Sequence, residues 1–181
     1  MERLSTEARF ERCSLGLPEV ERHAGRLALI PQGPRPIRVQ RAGALAALAP
    51  NAPQLVSAVT IGELRFGLAL SRAAGRPLAH IEACIERTEE HPLAEVGRHT
   101  AEAFGYVKSS LAFQRVDIRR RIPRWVEAWS DRVTGQLLHI DENDLWIAAQ
   151  AVERNLIVVT SDSDFTRVIS PAVPELRVQL V

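Results

Sequence analysis

The stretch Asp141-Glu-Asn-Asp-Leu-Trp-Ile-Ala-Ala-Gln-Ala-Val-Glu-Arg-Asn-Leu-Ile-Val-Val-Thr-Ser-Asp-Ser-Asp-Phe165 reads as helix, strand and turn, with carboxylates at both ends. Leu145, Ala148, Ala149 and Val152 recur at i, i+3, i+4 and i+7, the spacing of one buried helical stripe, and residues 156–160 form an apolar, β-branched run of strand length. Unbroken apolar strands belong to parallel sheets covered on both faces, and ligands of such sheets bind just beyond the strand carboxyl ends. Asp162 and Asp164 fall at that position. At the other end, Asp141 suits the N-cap of the helix and Asp144 its N3 position, where the side chain leans back toward the helix start. Capping alone would account for that pair, and residues 161–164 would equally cap a short final helix. A third acid, at another strand exit, takes the pattern beyond capping.

Working outward, residues 54–59 read as a second buried strand, followed by Thr60-Ile-Gly-Glu63-Leu-Arg-Phe-Gly67. Thr60 and Glu63 fit a capping box. Gly67 lies one turn on from Glu63 and Ala148 one turn on from Asp144. Each carboxylate thus has a minimal neighbour on its own helix face, which leaves room for something to approach.

The length of 181 residues suits one domain, and 46% hydrophobic content is ample for a core. With a net charge of +1, nothing in the overall balance demands a nucleic-acid partner. The cations are 22 arginines and a single lysine, Lys108. Arginine suits phosphate recognition, although genomic base composition accounts for such a bias equally simply. Cys13 and Cys84 are too few and too far apart for a disulfide framework or a zinc ribbon, so a cytoplasmic location is expected. There is no apolar run of membrane-spanning length and no signal-peptide core at the start, so no membrane association is expected.

Residues 1–37 form an atypical N-terminal segment, rich in arginine and ending in three prolines, in which residues 27–30 are a weak strand candidate. A helix is expected over residues 37–48, broken by Pro50 and Pro53. Further helices are expected over residues 77–88 and 93–111, the second with Val96, Ala103, Phe104, Val107 and Leu111 inward. His91 and His99 lack the clustered partners a metal site needs and read as surface residues. Across residues 115–136, Ile118, Ile122, Trp125, Val126, Trp129 and Val133 suggest one helical stripe. Arg119, Arg120, Arg121 and Arg124 lie near its N-terminal end, either as a solvated face or as a phosphate-contacting, RNA-binding arm. The last strand is expected over residues 177–181.

Residues 57–67, 143–149 and 159–165 together resemble the second, third and fourth motifs of PIN-domain nucleases, specifically VapC-type toxins of type II toxin–antitoxin pairs. Each motif alone is weak, but their joint occurrence in this order is specific. The resemblance covers residues 38–181 as a PIN-like domain. It implies an α/β fold, a three-layer α/β/α sandwich with a central parallel sheet, and Mg²⁺- or Mn²⁺-dependent endoribonuclease activity on an RNA substrate. It also implies a cognate antitoxin partner and suggests a homodimer. By this likeness Glu63, Asp144 and Asp162 are the catalytic and metal-ligating carboxylates, with Asp164 as a further ligand.

One departure stands out. The family opens with a strand ending in an aspartate, usually within Asp-Thr-Asn, whereas this chain has no Asp before Asp117 and only Glu19 and Glu21 in the expected region. A decayed site, a substituting glutamate, or an N-terminal segment read from another frame or start would each explain it. The alternative function is accordingly a catalytically impaired PIN-like module that binds antitoxin or RNA without cutting. If the site is intact, hard oxygen ligands without thiolate or imidazole suit Mg²⁺ or Mn²⁺.

Overall fold

The computed structural model describes residues 28–31 and 54–180. Readings that fall elsewhere, namely the helix over 37–48, Cys13, and Glu19 and Glu21, lie outside the described residues. Strand β1 (Ala28–Pro31) joins β4 (Leu156–Thr160) and β5 (Arg177–Leu180) in a sheet of order β1-β4-β5, and β2 (Val56–Ser57) pairs with β3 (Leu93–Ala94). The helices are α1 (Ala58–Ala73), α2 (Ala79–Glu89), α3 (Arg98–Arg115), α4 (Glu142–Arg154) and the short α5 (Ser170–Ala172). Among them none is long and apolar enough to cross a membrane.

The α4–β4 unit follows the sequence reading. Leu145, Ala148 and Ala149 are fully buried, and Asn155 ends the helix in the left-handed conformation (φ 53°) that reverses the chain into β4. Val158 and Val159 are also fully buried, as a strand covered on both faces requires. The core gathers α3, α4 and β4 around Val107, Leu111, Leu145, Val158 and Phe165. Burying each such side chain is worth about 1.5–3 kcal/mol. A smaller cluster of Leu64, Ile81, Cys84 and Ile85 holds α1 against α2.

Parallel pairing holds for β2 with β3 and for β4 with β5. β1 runs antiparallel to β4, with Ala28 opposite Val159 and Pro31 opposite Leu156.

Four local expectations are corrected. The strand over 54–59 shrinks to β2, because Ser57 caps α1: its Oγ accepts the Val59 N–H at 3.1 Å. Thr60 is therefore inside the helix, buried with its hydroxyl unpartnered among the described residues, and makes no capping box with Glu63. The helix over 93–111 splits into β3 and α3, where the Gly97 N–H donates to Thr100 Oγ1 at 3.0 Å, and Val96 is exposed. Residues 116–141 are a largely irregular loop with one 3-10 turn, Val126–Ala128. Asp117 and Asp131 accept amides two residues ahead, the local bonds with which aspartate competes against helix. Val126 and Trp129 are buried, while Ile118, Trp125 and Val133 face solvent, so they form no stripe.

Candidate active site

Helix α4 has 13 residues, roughly 20 Å, and β4 has five, roughly 17 Å, so the hairpin they form returns Asp162 to the end of the sheet where α4 begins. At that end the capping box forms as expected. The Asp144 N–H donates to Asp141 Oδ1 at 2.9 Å, and the Asp141 N–H donates to Asp144 Oδ2 at 3.1 Å. Asp144 is buried. The side-chain amide of Asn143 donates to Glu63 Oε1 at 2.7 Å, which brings the half-buried carboxylate of α1 to the start of α4.

Asp162 is half-buried just beyond β4. Its own N–H donates to Thr160 Oγ1 at 3.0 Å, and its Oδ1 accepts the Asp164 N–H at 2.8 Å. Asp164 Oδ1 accepts the Arg167 guanidinium at 2.6 Å, so this carboxylate is committed to an ion pair. Among the described residues no three His, Cys, Asp or Glu side chains are gathered tightly enough to hold one metal ion. Glu63 and Asp144 are thus linked through neighbouring residues, whereas Asp162 shares their end of the fold by topology.

The PIN domain family model matches residues 27–170 of the chain. The chain belongs to the PIN domain family. PIN domains are in general nucleases that use divalent metal ions. One solved structure, VapBC2 from Rickettsia felis bound to a DNA fragment from their promoter, is similar over 75% of this chain and 80% of that one, at 18% identity and a TM-score of 0.49. No curated protein matches.

Within this PIN domain the small neighbours of the two carboxylates are packing positions, contrary to the expected opening: Gly67 is buried and Ala148 is fully buried in the core. His91 and His99 are exposed, as expected. Arg119, Arg120, Arg121 and Arg124 are exposed on the loop, not at a helix start.

Residues that sequence reasoning passed over complete the surroundings. Lys108 of α3 pairs with Glu142, and its ammonium lies 5.3 Å from the Phe104 ring centre and 5.8 Å from that of Trp129. Phe104 stacks on Trp146 of α4 with ring centres 4.0 Å apart. Glu127 Oε1 accepts the Glu142 N–H at 3.3 Å, tying the loop to the same helix start. Asn143 lies inside the capping stretch, but neither an asparagine there nor a lone lysine signals its distant partner in sequence.

Proposed function

We propose that this chain is a Mg²⁺- or Mn²⁺-dependent endoribonuclease, the toxin of a type II toxin–antitoxin pair acting on cytoplasmic RNA. One observation carries the reading: the Asn143 amide bridges Glu63 to the capping box of Asp144, two carboxylates 81 positions apart in sequence. An ionised carboxylate offers about four lone-pair sites on two oxygens, so accepting a hydrogen bond is compatible with serving as a cation ligand. The amide dipoles at the start of α4 favour negative charge there.

A hard divalent ion fits this all-oxygen donor set. Magnesium keeps several waters, so carboxylates that do not converge to direct ligation still serve through water. Glu63, Asp144 and Asp162 would hold the ion, with Asp164 available only on leaving Arg167. When bound, the ion supplies electrostatic stabilisation of charge developing on the phosphoryl oxygens. The three motifs support the antitoxin partner and a homodimer.

Purified protein is expected to cut structured RNA in Mg²⁺ or Mn²⁺ and to stop in EDTA. Asp144→Asn keeps an oxygen for the Asp141 amide yet lowers the ligand charge. It is expected to slow cleavage by about two orders of magnitude or more. Unchanged cleavage by this variant refutes the assignment.

The direction of β1 favours a second reading, a PIN module that binds antitoxin or RNA without cutting. β1 leaves the sheet at the Leu156 end, away from Asp162, and its residues carry no carboxylate.

A further inference from the structure

Two tryptophans four residues apart have opposite fates in the 116–141 loop: Trp129 is 3% exposed and Trp125 is 58% exposed. The exposure of Trp125 is imposed by its neighbours. The chain enters the 3-10 turn at Trp125 in extended conformation (φ −96°, ψ 135°), in which consecutive side chains point to opposite sides, and Val126 is fully buried. Trp129 donates its indole N–H to the Pro123 carbonyl at 2.9 Å, which fixes the backbone just ahead of Arg124 and Trp125. The Arg124 guanidinium lies 4.9 Å from the Trp125 ring centre. An indole held outward beside a guanidinium differs from the apolar side chains scattered singly over any protein surface.

Residues 118–125 contain four arginines and no carboxylate. Arg119, Arg120, Arg121 and Arg124 are all exposed, and Arg120 also meets Asp117 at 3.4 Å. Glu127, the next acid along, instead accepts the Glu142 N–H at the helix start that carries Asp144. The arginine–tryptophan strip thereby ends two residues before a contact with the first turn of α4, the turn that carries Asp144.

We infer that Trp125 is a base-stacking residue and that Arg119, Arg120, Arg121 and Arg124 contact phosphates, so that the loop binds single-stranded RNA leading into the carboxylate site. Guanidiniums track a phosphate backbone without reading sequence, and an aromatic face takes any unstacked base. Duplex RNA keeps its bases stacked and gives the indole nothing to bind. An acidic peptide would satisfy the arginines but leaves the indole without a stacking partner. The inference rests on the nuclease reading for its substrate, but its test does not depend on cleavage.

The full chain is titrated into fluorescein-labelled oligouridine in EDTA at several salt concentrations, and binding is read by anisotropy. Trp125→Ala is expected to weaken binding about tenfold with an unchanged salt slope, and Trp125→Phe to recover most of the loss. The R119A/R120A/R121A variant is expected to make the slope of log K against log salt shallower by about 2, from three phosphates at about 0.7 each. Affinity for a duplex of equal length is expected to be the same for W125A and the parent. Equal oligouridine affinity of W125A and the parent overturns the proposal, as does equal loss on duplex. Displacement of oligouridine by polyglutamate at matched charge also overturns it, assigning the strip to an acidic protein segment. Intact binding without any cleavage in Mg²⁺ would defeat the nuclease reading and leave this one standing.

Discussion

Gln150 is fully buried on α4 and closes two hydrogen bonds: Ser57 Oγ donates to its Oε1 at 2.5 Å, and its Nε2 donates to the Ala94 carbonyl at 2.7 Å. It fastens β2 and β3 to the helix that carries Asp144. Gln150→Leu keeps roughly the volume but takes the donor from the Ala94 carbonyl and the acceptor from the buried Ser57 hydroxyl proton. A loss of about 2 kcal/mol is expected in urea denaturation, since each unsatisfied buried group costs about 1–3 kcal/mol. Two acids give the fold a pH dependence. The Thr134 and Val133 amides, with Arg115 at 3.5 Å, hold the Asp131 carboxyl below its ordinary value, and the Tyr106 hydroxyl, donating at 2.7 Å, does the same for Glu175. A depressed folded value means that the contribution is complete above the unfolded carboxylate range and disappears as pH falls through the folded value. Tyr106 is shifted the opposite way, upward, chiefly by the same bond to Glu175, so its share is lost at high pH. The melting temperature is expected to hold steady down to about pH 5 and to fall below about pH 4. Asp131→Asn should flatten that acid limb; an unchanged limb would remove Asp131 from the account.

At the scale of elements, α4 and β4 were legible because one buried stripe and one apolar run each admit a single packing. The loop that precedes them was not. Its apolar residues sit at helical spacing, but Pro123 contributes no N–H, and Asp117 and Asp131 turn their side chains onto nearby amides. Gly135, at φ 72°, closes the Asp131 turn by donating to its carbonyl at 2.8 Å. The loop is then pinned by Trp129, which packs in the main core, donates its indole N–H to the Pro123 carbonyl and accepts the Leu138 N–H at its own carbonyl at 2.9 Å. The two loop tryptophans should therefore differ sharply in stability. Trp129→Ala is expected to cost about 3–5 kcal/mol as a core truncation, whereas Trp125→Ala should stay within about 0.5 kcal/mol. Matched denaturation curves check this, and comparable losses would mean that Trp125 is a packing residue. The short extent of β2 was also hidden, because Ser57 serves both the strand and the cap of α1.

For the whole molecule, the sheet's directions decide how many acids reach one place. The carboxylates that the motifs pointed to come from α1, from the start of α4 and from beyond β4, and the bond from Asn143 that ties the first to the second was not visible in sequence because it depends on how two distant helices approach. A first-strand acid would add a further ligand, but β1 meets β4 antiparallel and ends beside Leu156. Ion affinity should then rest on Glu63, Asp144 and Asp162, since Asp164 holds Arg167. A cation that binds the folded arrangement of carboxylates and not the unfolded chain stabilises the fold that presents them. At about 100 times its dissociation constant the gain is about 2.7 kcal/mol, several degrees of melting temperature for a chain of this size. Titration with Mn²⁺ is expected to raise the melting temperature of the parent and not that of Asp144→Asn, each measured against its own melt in EDTA. Equal rises in both would place the ion away from Asp144. No rise in either, with the motifs and the fold unchanged, would leave the non-cutting module as the function these carboxylates can support.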